Sequence, residues 1–180
     1  MTVLNGVDLD VLKNEVIART KTEPELFRKT IRSRAVWQSG TSINLEAGNQ
    51  VLNINCGCEN PLARAKNPDR LFGPAEVVLG ALGSCVGVAY VVFGALNGIT
   101  IHSLRIELEG DIDVTKLYDM DNENQFGFSK LRMNVFIDSD ATEEQLQKIN
   151  RISTKKSPIY DLLVNAKDIE TKFHTASAAT

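Results

Sequence analysis

Twenty consecutive residues without a charged side chain, Val77 to Leu96, constrain the fold of this chain more than any other feature. Such a stretch is long enough to cross a bilayer as a helix. Four glycines interrupt it, and no basic cluster flanks either end, which argues against membrane insertion. We therefore predict a helix of a soluble protein that is buried on all sides. In a domain this small, a second chain is expected to cover part of such a helix.

Composition favours one intracellular globular domain. The 180 residues are 43% hydrophobic and 24% charged, which is enough apolar material for a single core. The net charge of −3 comes from acidic and basic residues mixed along the chain, which argues against nucleic acid or an anionic membrane as a partner. The amino terminus lacks the basic region of a secretory signal, so we expect a cytoplasmic protein. In that reducing compartment its three cysteines would be thiols.

Periodicity outside the apolar stretch predicts an α+β domain rather than a parallel nucleotide-binding sheet. The predicted elements are an amphipathic helix over 8–19, an antiparallel meander over 31–37, 42–47 and 51–56, a loop over 57–73, strands near 104–109 and 130–137, a helix with a capping box at Thr142 and Gln145, a short helix from Pro158 to Asn165, and a last strand over 167–174. Residues 115–125 read as a hairpin extension or loop. We expect a helical extension over 1–30 and one domain over 31–180.

Cys85, in the apolar helix, is the residue most suited to chemistry. It lies about three turns from the helix start, where the helix dipole has faded, so a reactive thiolate would need a cation or hydrogen-bond donor from elsewhere in the fold. The basic candidates are Arg32, Arg34 and Arg70. The alternative is that Cys85 only fills space in the core. Gly83 and Gly87 flank it with a strip free of side chains, on which another backbone or a substrate would lie close, or which serves tight packing.

Several short motifs occur together in one order along the chain. They are Trp37 with the strand 51–54, the Gly-Pro-x-Glu of 73–76, the Ala-Leu-Gly-Ser-Cys of 81–85, Gly98-Ile99, and the Glu-Leu-Glu-Gly-Asp of 107–111. As a set they resemble the OsmC and organic hydroperoxide resistance (Ohr) family over roughly residues 30–175. The resemblance implies an OsmC-like fold, with antiparallel sheets around a long central helix. It also implies an intertwined homodimer with active sites at the interface.

The resemblance also implies a thiol peroxidase chemistry, which this chain matches in part. Cys85 corresponds to the cysteine that attacks a hydroperoxide and becomes a sulfenic acid. The cysteine that resolves this acid in such proteins is Ser157 here, and Cys56 or Cys58 would be the substitutes. An arginine that holds the thiolate would fall near Thr41, and its glutamate partner near 75, one position before Glu76; neither match is strict.

We therefore expect hydroperoxide reduction by Cys85 in oxidative or osmotic stress, recycled by an external thiol. Arg34 or Arg70 would hold the thiolate, with Glu76 behind the arginine, and no cofactor or metal is expected. A non-catalytic binder of a small apolar or electrophilic ligand is the first rival. A Cys-His acyl hydrolase is the second, and it would require His102 or His174 beside the thiol. One Cys-x-Cys is too weak a signal for a zinc site.

Overall fold

The centre of the fold is the predicted long helix, α3 (Pro74–Leu96), in a computed structural model that describes residues 2–119 and 127–175. Pro74 occupies the first turn, where its missing N–H costs no hydrogen bond. The helix ends at Asn97, and Gly98 follows with a φ of +73°, a conformation that glycine adopts without strain. Both ends agree with the sequence prediction.

The carboxyl-terminal half packs around one side of α3. It consists of an antiparallel pair, β6 (Ile101–Ile112) and β7 (Phe128–Ser139), followed by α4 (Glu143–Lys156) and α5 (Pro158–Val164). Reciprocal hydrogen bonds between Thr142 and Gln145 confirm the predicted capping box. The buried core cluster consists of Leu82, Val86, Tyr90, Ile99 and Ile149. We call this half the packed unit. Its core packs α4 against α3.

The predicted meander is present as a separate three-stranded antiparallel sheet. Its strands are β3 (Arg34–Ser39), β4 (Ser42–Ala47) and β5 (Gln50–Asn55), in the order β3-β4-β5. Within these strands only Ile54 is buried. The sheet joins the packed unit through a parallel bridge from Ile54 to Phe72, just before α3. We call it the open sheet.

The register of the open sheet gathers its apolar side chains on one face. Two rows of apolar residues run across the three strands and alternate with polar rows. One row consists of Ala35, Leu45 and Leu52, and the other consists of Trp37, Ile43 and Ile54. Side chains directly opposite each other in neighbouring strands share a face. Trp37 is 67% exposed and Leu52 40% exposed, whereas Ile54 is buried, so this apolar face lies partly uncovered in the single chain.

The amino-terminal segment begins with a hairpin that sequence reasoning missed. Strands β1 (Val3–Leu4) and β2 (Val7–Asp8) pair across a turn at Asn5. The Asn5 amide donates to the Ile99 carbonyl and accepts from the Ile101 N–H, so the turn is fastened to the packed unit. The predicted helix follows, as a π-helical stretch over Val11–Ile17 and then α1 (Ala18–Thr22), with a short 3-10 turn at Pro24–Phe27.

Two predictions need correction. The segment 57–73 is not all loop, because α2 (Pro61–Lys66) forms within it, capped by the Asn60 side chain. The strand predicted over 167–174 is wrong: the segment forms no regular secondary structure, and Ile169 and Phe173 are each 88% exposed. Its alternation is that of a strand, but no sheet edge in the same chain takes it up. Residues 115–125 were predicted to be a hairpin extension or loop. The structure has a 3-10 turn at Val114–Tyr118, and residues 120–126 lie outside the described part of the chain.

In one chain α3 is buried along a single stripe rather than on all sides. Its buried positions are Leu82, Val86, Tyr90, Gly94 and Ala95. Val88, on another side, is 64% exposed, and 22% of the most apolar 18-residue stretch is buried. By length and composition alone α3 passes as a membrane span. It packs against β6, α4 and α5, and so forms part of the core of the packed unit.

Candidate functional site

Cys85 lies against Ser157, at the junction between α4 and α5. The Ser157 hydroxyl donates a hydrogen bond to Cys85 Sγ at 3.1 Å and accepts one from the Tyr160 N–H at 3.1 Å. The second bond is the helix cap expected from Ser-Pro at the start of α5. Because a hydroxyl has only one proton, the cap leaves that proton free for the sulfur.

Local sequence explains why these two side chains meet. Pro158 ends α4 and begins α5, so the chain turns at Ser157, directly beside α3. Ser153, one turn earlier on α4, is fully buried, and its hydroxyl has no hydrogen-bond partner in the part of the chain that the structure describes. Ser157 is 1% exposed, whereas Cys85 is only half-buried, so the hydrogen bond joins a buried hydroxyl to a residue that keeps part of its surface exposed.

A second polar cluster lies at the first turn of α3. The Glu76 carboxylate accepts hydrogen bonds from Arg70 at 2.5 Å, from Arg64 at 3.3 Å and from the Gly73 N–H at 2.9 Å. Burial alone would raise the pKa of Glu76, but the Arg70 hydrogen bond and the two guanidinium charges outweigh it and hold that pKa below its ordinary value. Arg64 also donates to the Asn55 carbonyl at 2.7 Å. Sequence reasoning named Arg70 and Glu76 but missed Arg64, which is positioned by the helix α2 that was not predicted.

The structure does not bring these charges to Cys85 within one chain. Nine residues of helix separate Glu76 from Cys85, which is about 13.5 Å along the helix axis. Arg34 lies in the open sheet, exposed, and pairs with Glu46 at 3.7 Å. Arg32 is exposed ahead of β3. Among residues 2–119 and 127–175, Ser157 is the one that forms a hydrogen bond with Cys85.

Cys56 and Cys58 form a disulfide with each other, which differs from the free thiols expected in a reducing compartment. They follow β5, close to the Arg64 and Glu76 end of α3. In the structure the two bond to each other and Cys85 is a free thiol, so a role of Cys56 or Cys58 in resolving Cys85 stays a prediction. A cleft of about 450 Å³ lies beside the pair and is lined by Gly57, Arg64 and Arg70, among others.

The two histidines do not support a Cys-His pair. His102 is exposed at the start of β6, and His174 is exposed in the carboxyl-terminal segment. Within the described ranges, no group of three or more histidine, cysteine, aspartate or glutamate side chains is placed to hold a metal ion.

The glycine strip beside Cys85 serves contact between α3 and β6. A Cβ at Gly83 would lie 2.6 Å from Leu108 Cδ1, and one at Gly87 would lie 3.6 Å from Ile106 Cδ1. A Cβ at Gly80 would meet nothing within 4 Å. A shallow groove of about 280 Å³ runs along these glycines. Gly83 therefore lets Leu108 pack directly against α3, whereas Gly80 leaves α3 open to an approaching surface.

Comparison with known proteins decides the family. Residues 67–172, more than half of the chain, match the family model described as OsmC-like protein. The chain belongs to the OsmC-like family. The matched range contains α3 with Cys85, the β6-β7 pair and the α4-α5 junction with Ser157, so both members of the 3.1 Å contact lie inside it. No curated protein matches the chain significantly.

Solved structures show the same OsmC fold at low sequence identity. An OsmC-like protein from Mycoplasma pneumoniae is 19% identical, with a TM-score of 0.63 over 77% of this chain and 89% of that chain. An organic hydroperoxide resistance protein from Legionella pneumophila is 12% identical, with a TM-score of 0.55 over 75% and 89%. The Bacillus subtilis organic hydroperoxide resistance protein OhrB is 17% identical, with a TM-score of 0.50 over 77% and 93%. The predicted fold and family are confirmed.

Proposed function

We propose that this OsmC-like protein reduces organic hydroperoxides through Cys85, as a redox protein of the cytoplasmic stress response. The observation that carries the proposal is the hydrogen bond from Ser157 to the half-buried Cys85 sulfur. A hydroxyl that donates to sulfur favours the thiolate, which is the nucleophilic form. Family membership and the hydroperoxide resistance proteins of the same fold support the choice of substrate.

The chemical step uses Cys85 of this chain, the hydroperoxide and one proton from water. The Cys85 thiolate attacks the terminal oxygen of ROOH, the O–O bond breaks, and RO⁻ leaves with a proton from water as ROH. Sulfur is oxidised by two electrons to the sulfenic acid, and the hydroperoxide is reduced to an alcohol. The Ser157 proton stays on its oxygen and stabilises negative charge on the sulfur before the attack.

Recycling must come from an external thiol. A serine cannot form a disulfide, so Ser157 leaves the sulfenic acid at Cys85 unresolved within the α4-α5 junction. One external thiolate would attack the sulfenic sulfur and release water, and a second would release the Cys85 thiolate and the oxidised reductant. The protein would then need no cofactor or metal.

The active site is proposed to be completed in a homodimer. The exposed side of α3 and the apolar face of the open sheet are both surfaces that a second copy would cover. Gly80 lies midway along α3 between Glu76 and Cys85, with open space around it. Two antiparallel α3 helices that cross near Gly80 would bring the arginine and glutamate cluster of one copy to the Cys85 level of the other.

Peroxidase turnover tests this proposal. With an alkyl hydroperoxide and dithiothreitol, the wild type should turn over, and Cys85→Ser should fall to the uncatalysed background. Ser157→Ala should keep activity but run about tenfold slower, since a hydrogen bond to a charged group contributes about 1.5 kcal/mol or more. Absence of wild-type turnover with any thiol would remove the enzyme proposal.

Ser157→Cys provides a gain of function as a second test. The 3.1 Å between Oγ and Sγ means that an introduced sulfur would lie beside Cys85. Hydroperoxide should then produce a disulfide between Cys85 and the introduced cysteine, seen as a mass loss of two protons. If peroxide oxidises Cys85 in this variant without forming that disulfide, the side chains do not meet as described.

Ligand binding without turnover is the second candidate, and one observation favours it. No guanidinium contacts Cys85 within the described part of a single chain, so activation of the thiolate rests on Ser157 alone until a second copy is added. A binder would show no turnover with thiols, and an electrophilic ligand would modify Cys85 stoichiometrically. The acyl hydrolase is not proposed, since neither histidine lies at the sulfur.

A further inference from the structure

We propose that Cys56 and Cys58 are a second redox centre, which exchanges with external thiols and disulfides independently of Cys85. In the dithiol form, the thiolate of one cysteine attacks an external disulfide RSSR and releases RS⁻. The thiolate of the other then attacks the resulting mixed disulfide, closes the Cys56–Cys58 bond and releases the second RS⁻. The protein loses two electrons and two protons, and RSSR becomes 2 RSH.

The position of the bond argues against a structural role. It closes a loop with one residue between the cysteines, and the restraint that a disulfide places on the unfolded chain grows with loop length. Stabilising disulfides close much longer loops than this one. The Cys56–Cys58 bond therefore has little to contribute to the stability of the fold.

Other contacts already hold the turn, whatever the state of the sulfurs. The Gly57 N–H donates to Asn55 Oδ1 at 2.7 Å and lies 3.3 Å from Thr41 Oγ1, and the Cys56 N–H donates to the Thr41 carbonyl at 3.3 Å. The Tyr118 hydroxyl donates to the Cys58 carbonyl. These bonds use backbone and side-chain groups other than sulfur, so the two thiols would stay side by side after reduction. Such preorganisation lets the pair close again at a small entropic cost.

Gly57 is required for this geometry. Its φ is +59°, and a Cβ at this position would lie 2.8 Å from Arg64 Cδ. A larger residue would therefore push away the arginine that also binds Asn55 and Glu76. The sequence Cys-Gly-Cys thus allows a one-residue turn to fit under Arg64.

External thiols can reach the pair. Cys56, Gly57 and Cys58 are each partly exposed, and Gly57, which lies between the two cysteines, lines the cleft of about 450 Å³. The pair lies beside Arg64, whose guanidinium binds Glu76 in the first turn of α3. The test below uses Cys85→Ser protein, which excludes exchange with Cys85 of either copy, so the inference stands or falls apart from the peroxidase proposal.

Equilibration with glutathione tests the inference on the full chain. Cys85→Ser protein would be held in graded mixtures of reduced and oxidised glutathione, quenched in acid, alkylated and weighed by peptide mass spectrometry. Two thiols at Cys56 and Cys58 should appear together, with a midpoint inside the titration. The matched control, Cys56→Ser with Cys58→Ser, should show no such transition.

Two results would overturn the inference. The first is a pair that stays disulfide-bonded in the most reducing mixture while native, or that never closes in the most oxidising one. The second is a fall in melting temperature of more than about 10 °C on reduction, which would make the bond a structural one.

Repetition of the titration with thioredoxin distinguishes the source of the thiol. Exchange with glutathione indicates a small-molecule partner, and exchange with thioredoxin alone indicates a protein dithiol. Exchange with neither contradicts the inference. If Cys85→Ser does not fold, the same peptide is followed in the wild type, where Cys85 is on a separate peptide.

Discussion

The packed unit and the open sheet both carry apolar faces, but only one of these faces is covered within the chain. In the packed unit, α4 and the β6-β7 pair cover one stripe of α3, and Val86 and Ile149 are almost completely buried. In the open sheet, Trp37 and Leu52 lie on an apolar face that remains exposed. An apolar face this large on a three-stranded sheet is typical of a surface that another chain covers.

This difference shows which parts of the candidate site one chain brings together and which parts it leaves apart. Cys85 and Ser157 meet inside the packed unit, whereas Arg34 lies in the open sheet and Arg70 and Glu76 lie where the two regions join. The groups that would complete the site are therefore on the side of the molecule that lacks a cover. Four predictions test this contrast, in order of expected effect.

The largest effect is expected in the core of the packed unit. Ile149→Ala removes a side chain that is 1% exposed between α4 and α3, and it should lower the free energy of unfolding by about 2 to 5 kcal/mol. Val51→Ala, at a 62% exposed position on the polar face of the open sheet, should change it by about 0.5 kcal/mol or less. Urea denaturation measures both. Equal losses would mean that the two regions do not differ in packing.

The next effect concerns self-association through the open sheet. Trp37→Ser removes the largest exposed side chain of the apolar face and should raise the dimer dissociation constant by about tenfold or more. Val51→Ser is the matched control, because it has similar exposure on the opposite face. Sedimentation equilibrium provides the constants. A monomeric wild type, or equal constants for the two variants, would contradict the proposed cover.

Ser157→Ala should have a smaller effect on the stability of the packed unit. It removes both the α5 cap and the buried contact with Cys85, which together should cost about 1 to 2 kcal/mol. Thr142→Ala, which removes only the cap of α4 at an exposed site, should cost about 1 kcal/mol. Denaturation curves of the two variants compare them. If Ser157→Ala lowers the free energy of unfolding by less than Thr142→Ala does, the hydrogen bond between Ser157 and Cys85 does not stabilise the fold.

The smallest effect is expected where the two regions join, and it depends on pH. The pKa of Glu76 is lower in the folded protein, so the carboxylate stabilises the fold above its unfolded pKa of about 4.3. Glu76→Gln should therefore be less stable than wild type near pH 7, by about 1 kcal/mol or less for this partly exposed group. The difference should vanish as pH falls through the folded pKa. Unfolding curves from pH 7 to pH 3 measure this difference in stability, and Glu25→Gln at an exposed site is the control. A difference that grows towards low pH would contradict a lowered pKa of Glu76.

Much of the fold could be read from periodic patterns. The uncharged run from Val77, the alternation near 104–109 and 130–137, and the Thr142 capping box each correspond to elements that formed. Sequence patterns failed to predict segments whose structure depends on hydrogen bonds with residues far along the chain. The alternation over 167–174 is that of a strand, but a strand exists only where an edge accepts its hydrogen bonds. The Asn5 hairpin was missed because its turn is held by Ile99 and Ile101, far along the chain.

By itself, the sequence determined the long apolar helix, the three-stranded meander and the β6-β7 strands, because each depends on residues that are neighbours along the chain. It also singled out Cys85 as the candidate for chemistry, which stays a prediction. Only the tertiary structure decided what lies beside that cysteine. It set Ser157 at 3.1 Å, although 72 residues separate the two, and it left Arg70 and Glu76 at the other end of the helix. The physical reason is that a hydrogen bond or an ion pair depends on distance in space, which packing sets and sequence separation does not.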